Sequence, residues 1–339
     1  MKSRKLTCHH ATHLTGKNAM KAAVNTEYGS PDVLQVREVE KPTPINNELL
    51  IRIYATSVSS GDWKMRKADP FLIRLFFGLF KPKKTVLGYV LAGEIENTGK
   101  DVTQFKKGEK IYATTGMNFG AYAEYICLPE KGVIATKPDS LSYEEAAAIP
   151  FGGNTALYFL RKGGIQSGQK ILICGASGAI GTAAVQLAKH FGAEVTAVCS
   201  TANLAMVQSL GADKVIDYTQ EDFTKYGELF DIVFDTVGKS SYSDCMRVLK
   251  PTGRLVLSAA GLKEMFKGLW ANMTSSKKVI SGVMSETADD LLFFNNLLSQ
   301  GKFKAVIDTC YPLEDIAKAH RYVEKGHKKG NVIISIIEC

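Results

Sequence analysis

Ile171-Leu172-Ile173-Cys174-Gly175-Ala176-Ser177-Gly178-Ala179-Ile180-Gly181, continued from Thr182 to Thr201 as TAAVQLAKHFGAEVTAVCST, is the stretch from which the rest of the chain is read. The apolar run Ile171 to Cys174 has the length of a buried strand. After the glycines, Ile180, Ala184, Leu187, Ala188 and Phe191 recur at helical spacing on one face. Gly192 stops that helix, and Glu194 to Val198 starts a second strand. Strand, glycine turn, helix and strand make a βαβ unit with its glycines where the first strand meets the helix.

That junction has a specific chemistry. A helix N-terminus offers free backbone N–H groups and the positive end of the helix dipole, which together hold a diphosphate. Glycine lets the ligand approach closely and tolerates the tight turn. The spacing is GxxGxxG rather than GxGxxG, and its weight comes from its place between a strand and a helix. Gly175, Ser177, Gly178, Ala179, Ile180 and Gly181 are therefore the expected diphosphate site. The competing reading is a crossover whose glycines serve only close packing.

The second strand ends in Cys199-Ser200-Thr201-Ala202-Asn203. NAD sites usually place an acid there to hold the ribose 2′-OH. None is present, whereas hydroxyls and an amide can donate to a 2′-phosphate. NADPH is therefore expected over NADH, held through Ser200, Asn203 and the hydroxyl of Tyr218 at the end of the next strand. No lysine or arginine stands in this turn, and the same residue types also serve as helix caps.

Outward from this unit the chain shows two styles. Residues 20 to 141 are β-rich, with strands expected at Met20–Asn25, Val33–Glu40, Glu48–Ser57, Val86–Glu96, Lys110–Ala113 and Ala121–Leu128. Gly88 and Gly93 mark bends within a small barrel. Tyr143–Ile149 and Thr155–Lys162 read as helices, with Ser142 as a cap and Pro150 between them. From Lys170, strands and helices alternate, which means a doubly wound parallel sheet. Its later pieces are Leu204–Leu210, Lys214–Ile216, Asp231–Asp235, Tyr242–Leu249, Arg254–Ser258, Val279–Val283 and Glu286–Leu298. The tail resumes the first style with strands Lys304–Asp308 and Asn331–Ile337 around a helix at Glu314–Val323. The expected organisation is an extension at 1–19, a β-rich domain from 20 to 145, a dinucleotide-binding domain from 146 to 303, and a return to the first domain from 304 to 339. The site is then the crevice at the carboxyl ends of the parallel strands.

Composition narrows the class. Of 339 residues 45% are hydrophobic and 22% charged, as in a globular protein with room for two cores. The net charge is +8, and Lys2, Arg4, Lys5 and Lys17 supply half of it. No dense basic patch interleaved with aromatics follows, so no nucleic-acid partner is expected. The seven cysteines are scattered without a CxxC pair, which reads as free thiols in the cytoplasm and no zinc cluster. Residues 1–19 lack acids and hold three of the six histidines. Transit peptides share that composition, but a disordered extension is the reading preferred here. No stretch is long enough for a transmembrane helix. The most lipophilic, Phe71 to Phe80 (FLIRLFFGLF), is expected to be a pocket wall or lid.

Several pieces, in this order, resemble the medium-chain dehydrogenase/reductase superfamily in its zinc-independent, zeta-crystallin-like quinone oxidoreductase branch. They are MKAAVNTEYGSPDVL from Met20, SGDWKMR from Ser60, LGYVLAGEI from Leu87, EEAAAIPFGGNTAL from Glu144, CGASGAIG, SLGADKVIDY, FDTVG and KGNVIISI. The resemblance implies a Rossmann domain inserted into a GroES-like catalytic domain. It implies transfer of a hydride from NADPH to a quinone or an α,β-unsaturated carbonyl. Enoyl-thioester or 2-alkenal reduction is the alternative, and a non-catalytic NADPH-binding scaffold is the third reading. A homodimer is the family's habit. Zinc-dependent members carry Cys near Ser60 and His near Tyr89, so no metal is expected. Quinone-reductase relatives often show Asn and Asp where this chain has Ser59 and Val90. By resemblance Ser59 contacts the cofactor, Thr155 sits near the nicotinamide amide, and Met284 lies near the ring. Val237, Ala259 and Ala260 flank the nucleosides, and Lys329 and Asn331 clamp the cofactor from the other domain. Lys64 is the expected donor to the substrate carbonyl or the ribose, with Asp62 orienting Lys64 or Arg66. An ion pair between Asp62 and Arg66 is the structural alternative. Tyr158 and Lys162 match the Tyr-xxx-Lys of short-chain dehydrogenases, but they precede the glycine turn instead of following it.

Overall fold

The computed structural model describes residues 18–225 and 227–337. The extension expected at 1–19 lies almost wholly outside the described residues. The chain begins with β1 (Ala19–Asn25), β2 (Leu34–Glu40) and β3 (Glu48–Val58), then helices α1 (Ser60–Lys67) and α2 (Ile73–Phe77). Strands β4 (Val90–Thr98), β5 (Lys110–Thr114), β6 (Tyr125–Pro129) and β7 (Ile134–Thr136) follow, then α3 (Tyr143–Ala147) and α4 (Pro150–Lys162). The alternating part is β8 (Lys170–Cys174), α5 (Ala179–His190), β9 (Glu194–Cys199), α6 (Leu204–Ser209), β10 (Lys214–Asp217), β11 (Phe230–Asp235), α7 (Tyr242–Arg247), β12 (Leu249–Leu257), α8 (Leu262–Thr274) and β13 (Lys278–Ile280). Helix α9 (Ala288–Ser299), β14 (Ile307–Pro312), α10 (Ile316–Glu324) and β15 (Asn331–Ser335) complete it.

Two sheets carry the architecture. Strands β10-β9-β8-β11-β12-β13 form a six-stranded sheet whose pairs are all parallel. Strands β14-β15-β3-β4-β5-β7 form the mixed second sheet, with β6 paired to β3, and β1 pairs β2. The tail therefore returns to the first sheet, as β15 runs antiparallel to β3. The parallel strands are buried on both faces, Leu172 and Val233 on one side and Ile171, Ile173 and Phe234 on the other. That is why they read as continuous apolar runs rather than alternating ones.

Helices α1 and α2 and strand β7 are not expected from the sequence, and three further differences have a visible cause. Pro150 does not separate two helices. It opens α4 as its first residue, where its fixed φ suits a helix and its missing N–H costs nothing. Gly152 and Gly153 lie inside that helix because a β-carbon at Gly152 would stand 2.3 Å from the Ala179 carbonyl oxygen, and one at Gly153 would meet the Phe294 ring at 2.8 Å. The strand expected from Lys304 starts only at Ile307, because Gln186 takes both backbone groups of Lys304, at 2.9 and 3.1 Å. Helix α8 has no counterpart among the expected elements. Its Phe266, Leu269, Trp270 and Met273 are exposed, so its apolar residues do not trace a core stripe.

Candidate active site

The glycines after β8 do different jobs. Gly175 has a φ of +77°, and a β-carbon there would meet Val237 at 2.6 Å. At Gly181 it would lie 2.2 Å from the Gly175 carbonyl oxygen. Both glycines are explained by the turn and its packing. Gly178 is not, for its β-carbon would meet nothing nearer than 3.7 Å. It caps α5 in an extended conformation without a side-chain hydrogen bond. The first intrahelical bond runs from the Thr182 amide to its carbonyl at 2.8 Å, which leaves the amides of Ala179, Ile180 and Gly181 without a helical partner. Space and donors therefore coincide at Gly178, which suits a diphosphate.

The other sheet closes on this point. Gly330 bridges to Gly178, and its amide donates to the Ser177 carbonyl at 2.8 Å. Its φ of +49° and the Val306 carbonyl 2.2 Å from a would-be β-carbon admit only glycine. The Lys329 amide donates to Asp308 at 3.0 Å, and the Asn331 side chain to the Val306 carbonyl at 3.1 Å. Lys328 Nζ donates to the Gly330 carbonyl, and burial pushes its ammonium down to about 8. Lys329, Gly330 and Asn331 thus reach the glycine turn from the far domain, while the Lys329 side chain stays exposed.

Past the end of β9, Asn203 Nδ2 donates to Ser200 Oγ at 3.1 Å, and Asn203 Oδ1 is buried and unpaired. The Ser200 hydroxyl proton is left available. Thr201 is committed, because its hydroxyl donates to Asp217 at 2.5 Å. Tyr218 stands exposed one residue further on. Asp217 is an acid that the order of residues after β9 does not reveal. It arrives from β10, opposite Cys199. Hydroxyl and amide donors from Thr201 and Thr219 hold its carboxyl below the usual range. Asp235 organises the loop that carries Val237. It accepts from the amides of Val237 and Gly238 at 3.0 and 2.9 Å, and Val237 itself is exposed. Ala259 and Ala260 sit half-buried just past the end of β12.

At the other end, Thr155 Oγ1 bonds the Phe151 carbonyl at 2.6 Å and Met284 Sδ at 3.1 Å, so two residues 129 positions apart meet. Beside them lies a group that motif reading missed. The Glu286 carboxylate accepts from Tyr89 at 2.5 Å, Thr114 at 2.6 Å and Asn154 at 2.9 Å. It comes from the segment between β13 and α9 and ties helix α4 to strand β5 and to Tyr89 before β4. Burial and the facing carboxylate raise the Tyr89 phenol above its ordinary value, and the ring packs edge-on to Phe151. No motif spacing could have revealed Glu286, since its partners lie 132 to 197 residues away.

Helix α1 carries Lys64. Ser59 caps it. Its hydroxyl and amide donate to Asp62 at 2.5 and 2.8 Å, and the Asp62 amide returns a bond to Ser59 Oγ. Burial pushes the Asp62 carboxyl up to about 6 against those donors. Arg66 is fully buried and pairs with Glu324 on α10 at 2.5 Å. The alternative of an Asp62–Arg66 pair gives way to Arg66–Glu324. Both residues lie inside the protein, and neither presents its charge to the cleft. Lys64 is half-buried, with Nζ 5.8 Å from the Trp63 ring centre. His320 packs edge-on to Tyr122, and burial with the Arg66 charge holds it down to about 3.

The donor set in the cleft is Tyr89, Thr114, Asn154 and one carboxylate, which does not fit catalytic zinc with its three nitrogen, sulfur or carboxylate ligands. Among the described residues no three His, Cys, Asp or Glu side chains converge. No helix among them is long and apolar enough to cross a membrane.

Comparison with known proteins agrees with this frame. Residues 45–139 match the alcohol dehydrogenase GroES-like domain, and residues 210–334 match the domain described as zinc-binding dehydrogenase. A 2-methylene-furan-3-one reductase of Solanum lycopersicum is 35% identical over 336 residues, covering 96% of this chain and 81% of that one. A chloroplast envelope quinone oxidoreductase homolog of Arabidopsis thaliana is 32% identical, covering 95% and 99%. The structure of the quinone oxidoreductase from Coxiella burnetii superposes with a TM-score of 0.87 at 28% identity, covering 94% of this chain and all of that one. An α/β chain with a Rossmann sheet set into a GroES-like domain, this protein belongs to the medium-chain dehydrogenase/reductase superfamily, in its quinone oxidoreductase-like branch, and is an oxidoreductase that works with a nicotinamide cofactor.

Proposed function

We propose that the protein reduces a small hydrophobic quinone or α,β-unsaturated carbonyl with NADPH, without a metal. The open space at Gly178, facing three unpaired amides and closed from the far domain by Gly330, carries this reading. The relatives' named reactions, on a methylene-furanone and on quinones, support the acceptor class. When bound, NADPH supplies the hydride. Everything else falls to the chain. The amides of Ala179, Ile180 and Gly181 hold the diphosphate, with Gly175 and Ser177 shaping the turn. Ser200, Asn203 and Tyr218 take the phosphorylated ribose. The absence of an acid directly after β9, and the occupation of Asp217 by its threonines, support NADPH over NADH. Val237, Ala259 and Ala260 flank the nucleosides, Thr155 and Met284 the nicotinamide, and Lys329 and Asn331 close the site.

Lys64 donates to the acceptor carbonyl and stabilises the oxyanion that develops on reduction. Ser59, Asp62 and Arg66 are positioning residues. The first two cap α1 and the third bolts it to α10, which fixes where Lys64 points. Free thiols at Cys174, Cys199 and Cys245 support a reducing compartment such as the cytoplasm. A homodimer is supported by the exposed face of α8 beside β13, the open edge of the parallel sheet. The test is NADPH oxidation against a panel of quinones and enones. Turnover of enones alone selects the alkenal or enoyl-thioester reading, and binding without any turnover selects the scaffold.

A further inference from the structure

We propose that residues 71–84 dock the protein on an anionic lipid bilayer. Phe71, Leu72, Leu75, Phe76, Leu79 and Phe80 all stand exposed, Phe76 at 75% and Phe80 at 88%. Six large apolar side chains within ten residues make a contiguous patch, which soluble surfaces rarely carry without a partner. The segment is held firmly in the posture that exposes them. The Gly78 amide bonds the Arg74 carbonyl at 3.0 Å, the Lys83 amide bonds the Phe77 carbonyl at 2.8 Å, and the Tyr28 hydroxyl reaches the Gly78 carbonyl at 2.9 Å. Arg74 lies 4.8 Å over the Tyr28 ring, and Phe77 turns inward, edge-on to Phe119. In this posture its exposed side chains face solvent rather than a pocket.

Charge chooses the partner. The stretch 71–84 holds Arg74, Lys81, Lys83 and Lys84 and no acid. Lys81, Lys83 and Lys84 are exposed directly after Phe80. Phenyl and leucyl groups at the acyl boundary, with lysines level with anionic headgroups, is the arrangement of an interfacial anchor. A self-complementary protein interface would instead need acids to face those lysines. The patch also adjoins the cleft. Phe77 packs on Phe119, and Lys84 reaches Asn118 at 3.4 Å, on the segment that runs on from Thr114 at the Glu286 cluster. A protein seated here would meet lipid-dissolved acceptors at the mouth of its site.

The experiment is co-sedimentation of the full chain with vesicles of phosphatidylcholine alone and of phosphatidylcholine with phosphatidylglycerol, at low and high salt. The expected result is partitioning at least tenfold stronger into the anionic vesicles and weakened by salt. The double substitution Phe76→Ser and Phe80→Ser lowers that partitioning at least tenfold. Replacing Lys81, Lys83 and Lys84 by Gln lowers it roughly fivefold per lysine. NADPH titration of the same variants keeps a failure of docking separate from a failure of the catalytic reading. Equal partitioning into both vesicle types, or anionic binding untouched by the phenylalanine substitutions, overturns the proposal. So does a concentration-dependent dimer that those substitutions abolish in the absence of vesicle binding, for the patch then belongs to a second copy.

Discussion

Replacing Gly178 by Asp separates the ligand-binding reading of the glycine turn from the packing reading. A β-carbon at 178 has its nearest neighbour at 3.7 Å, an ordinary contact. Gly178→Ala and Gly178→Asp should therefore fold, with stability within about 0.5 kcal/mol of the parent. The carboxylate of the second variant stands where the diphosphate comes to rest. One unit of charge about 5 Å from another, at an effective dielectric of about 20, costs about 3 kcal/mol. That is about 200-fold in dissociation constant. Gly178→Ala lacks the charge and should lose far less. Gly181→Ala is the opposite control. Its β-carbon would press within 2.2 Å of the Gly175 carbonyl, so about 1–3 kcal/mol of stability should go through overpacking. Fluorescence titration with NADPH measures the first effect, and urea denaturation the second. Gly178→Asp binding NADPH as tightly as the parent would refute the site, and Gly178→Asp unfolding like Gly181→Ala would return all three glycines to packing.

Three further expectations follow from the geometry. The folded Asp62 carboxyl titrates near 6 against an ordinary 3.8, so the native state holds that proton more tightly than the unfolded chain. The stabilisation is complete below about pH 4 and is lost as pH rises through 6. The stability of the parent relative to Asp62→Asn should therefore grow by about 2 kcal/mol from pH 7 to pH 4, and a difference independent of pH in denaturant titrations would contradict it. Glu286→Ala leaves Tyr89, Thr114 and Asn154 without their shared acceptor and should cost about 2–4 kcal/mol by urea denaturation; a change below about 0.5 kcal/mol would show that this shared acceptor carries no weight. NADPH should bind more tightly than NADH, and equal dissociation constants would remove Ser200, Asn203 and Tyr218 from the phosphate site.

The linear order of residues fixes whatever depends on near neighbours. Lys170 to Cys199 is legible as strand, turn, helix and strand because each piece repeats its own period and is punctuated by glycine. The Ser142 capping box and the alternation after Lys170 are local in the same sense, and the ordered motifs identify the family. Tertiary structure decides how distant pieces meet. Two of the three glycines in the turn are consumed by contacts with Val237 and with the turn's own backbone, and only folding shows that Gly178 is the one left open. Asp217 reaches Thr201 across a strand pair, Glu286 finds three partners from distant elements, and Arg66 pairs with Glu324, 258 residues on. Such pairings are set by packing, where a buried charge or a long side chain takes whatever partner the two sheets bring to it. The same cause explains the apolar helices. Sequence marks Phe71 to Phe80 as lipophilic, but only the fold shows that all but a few of its side chains are turned away from the protein.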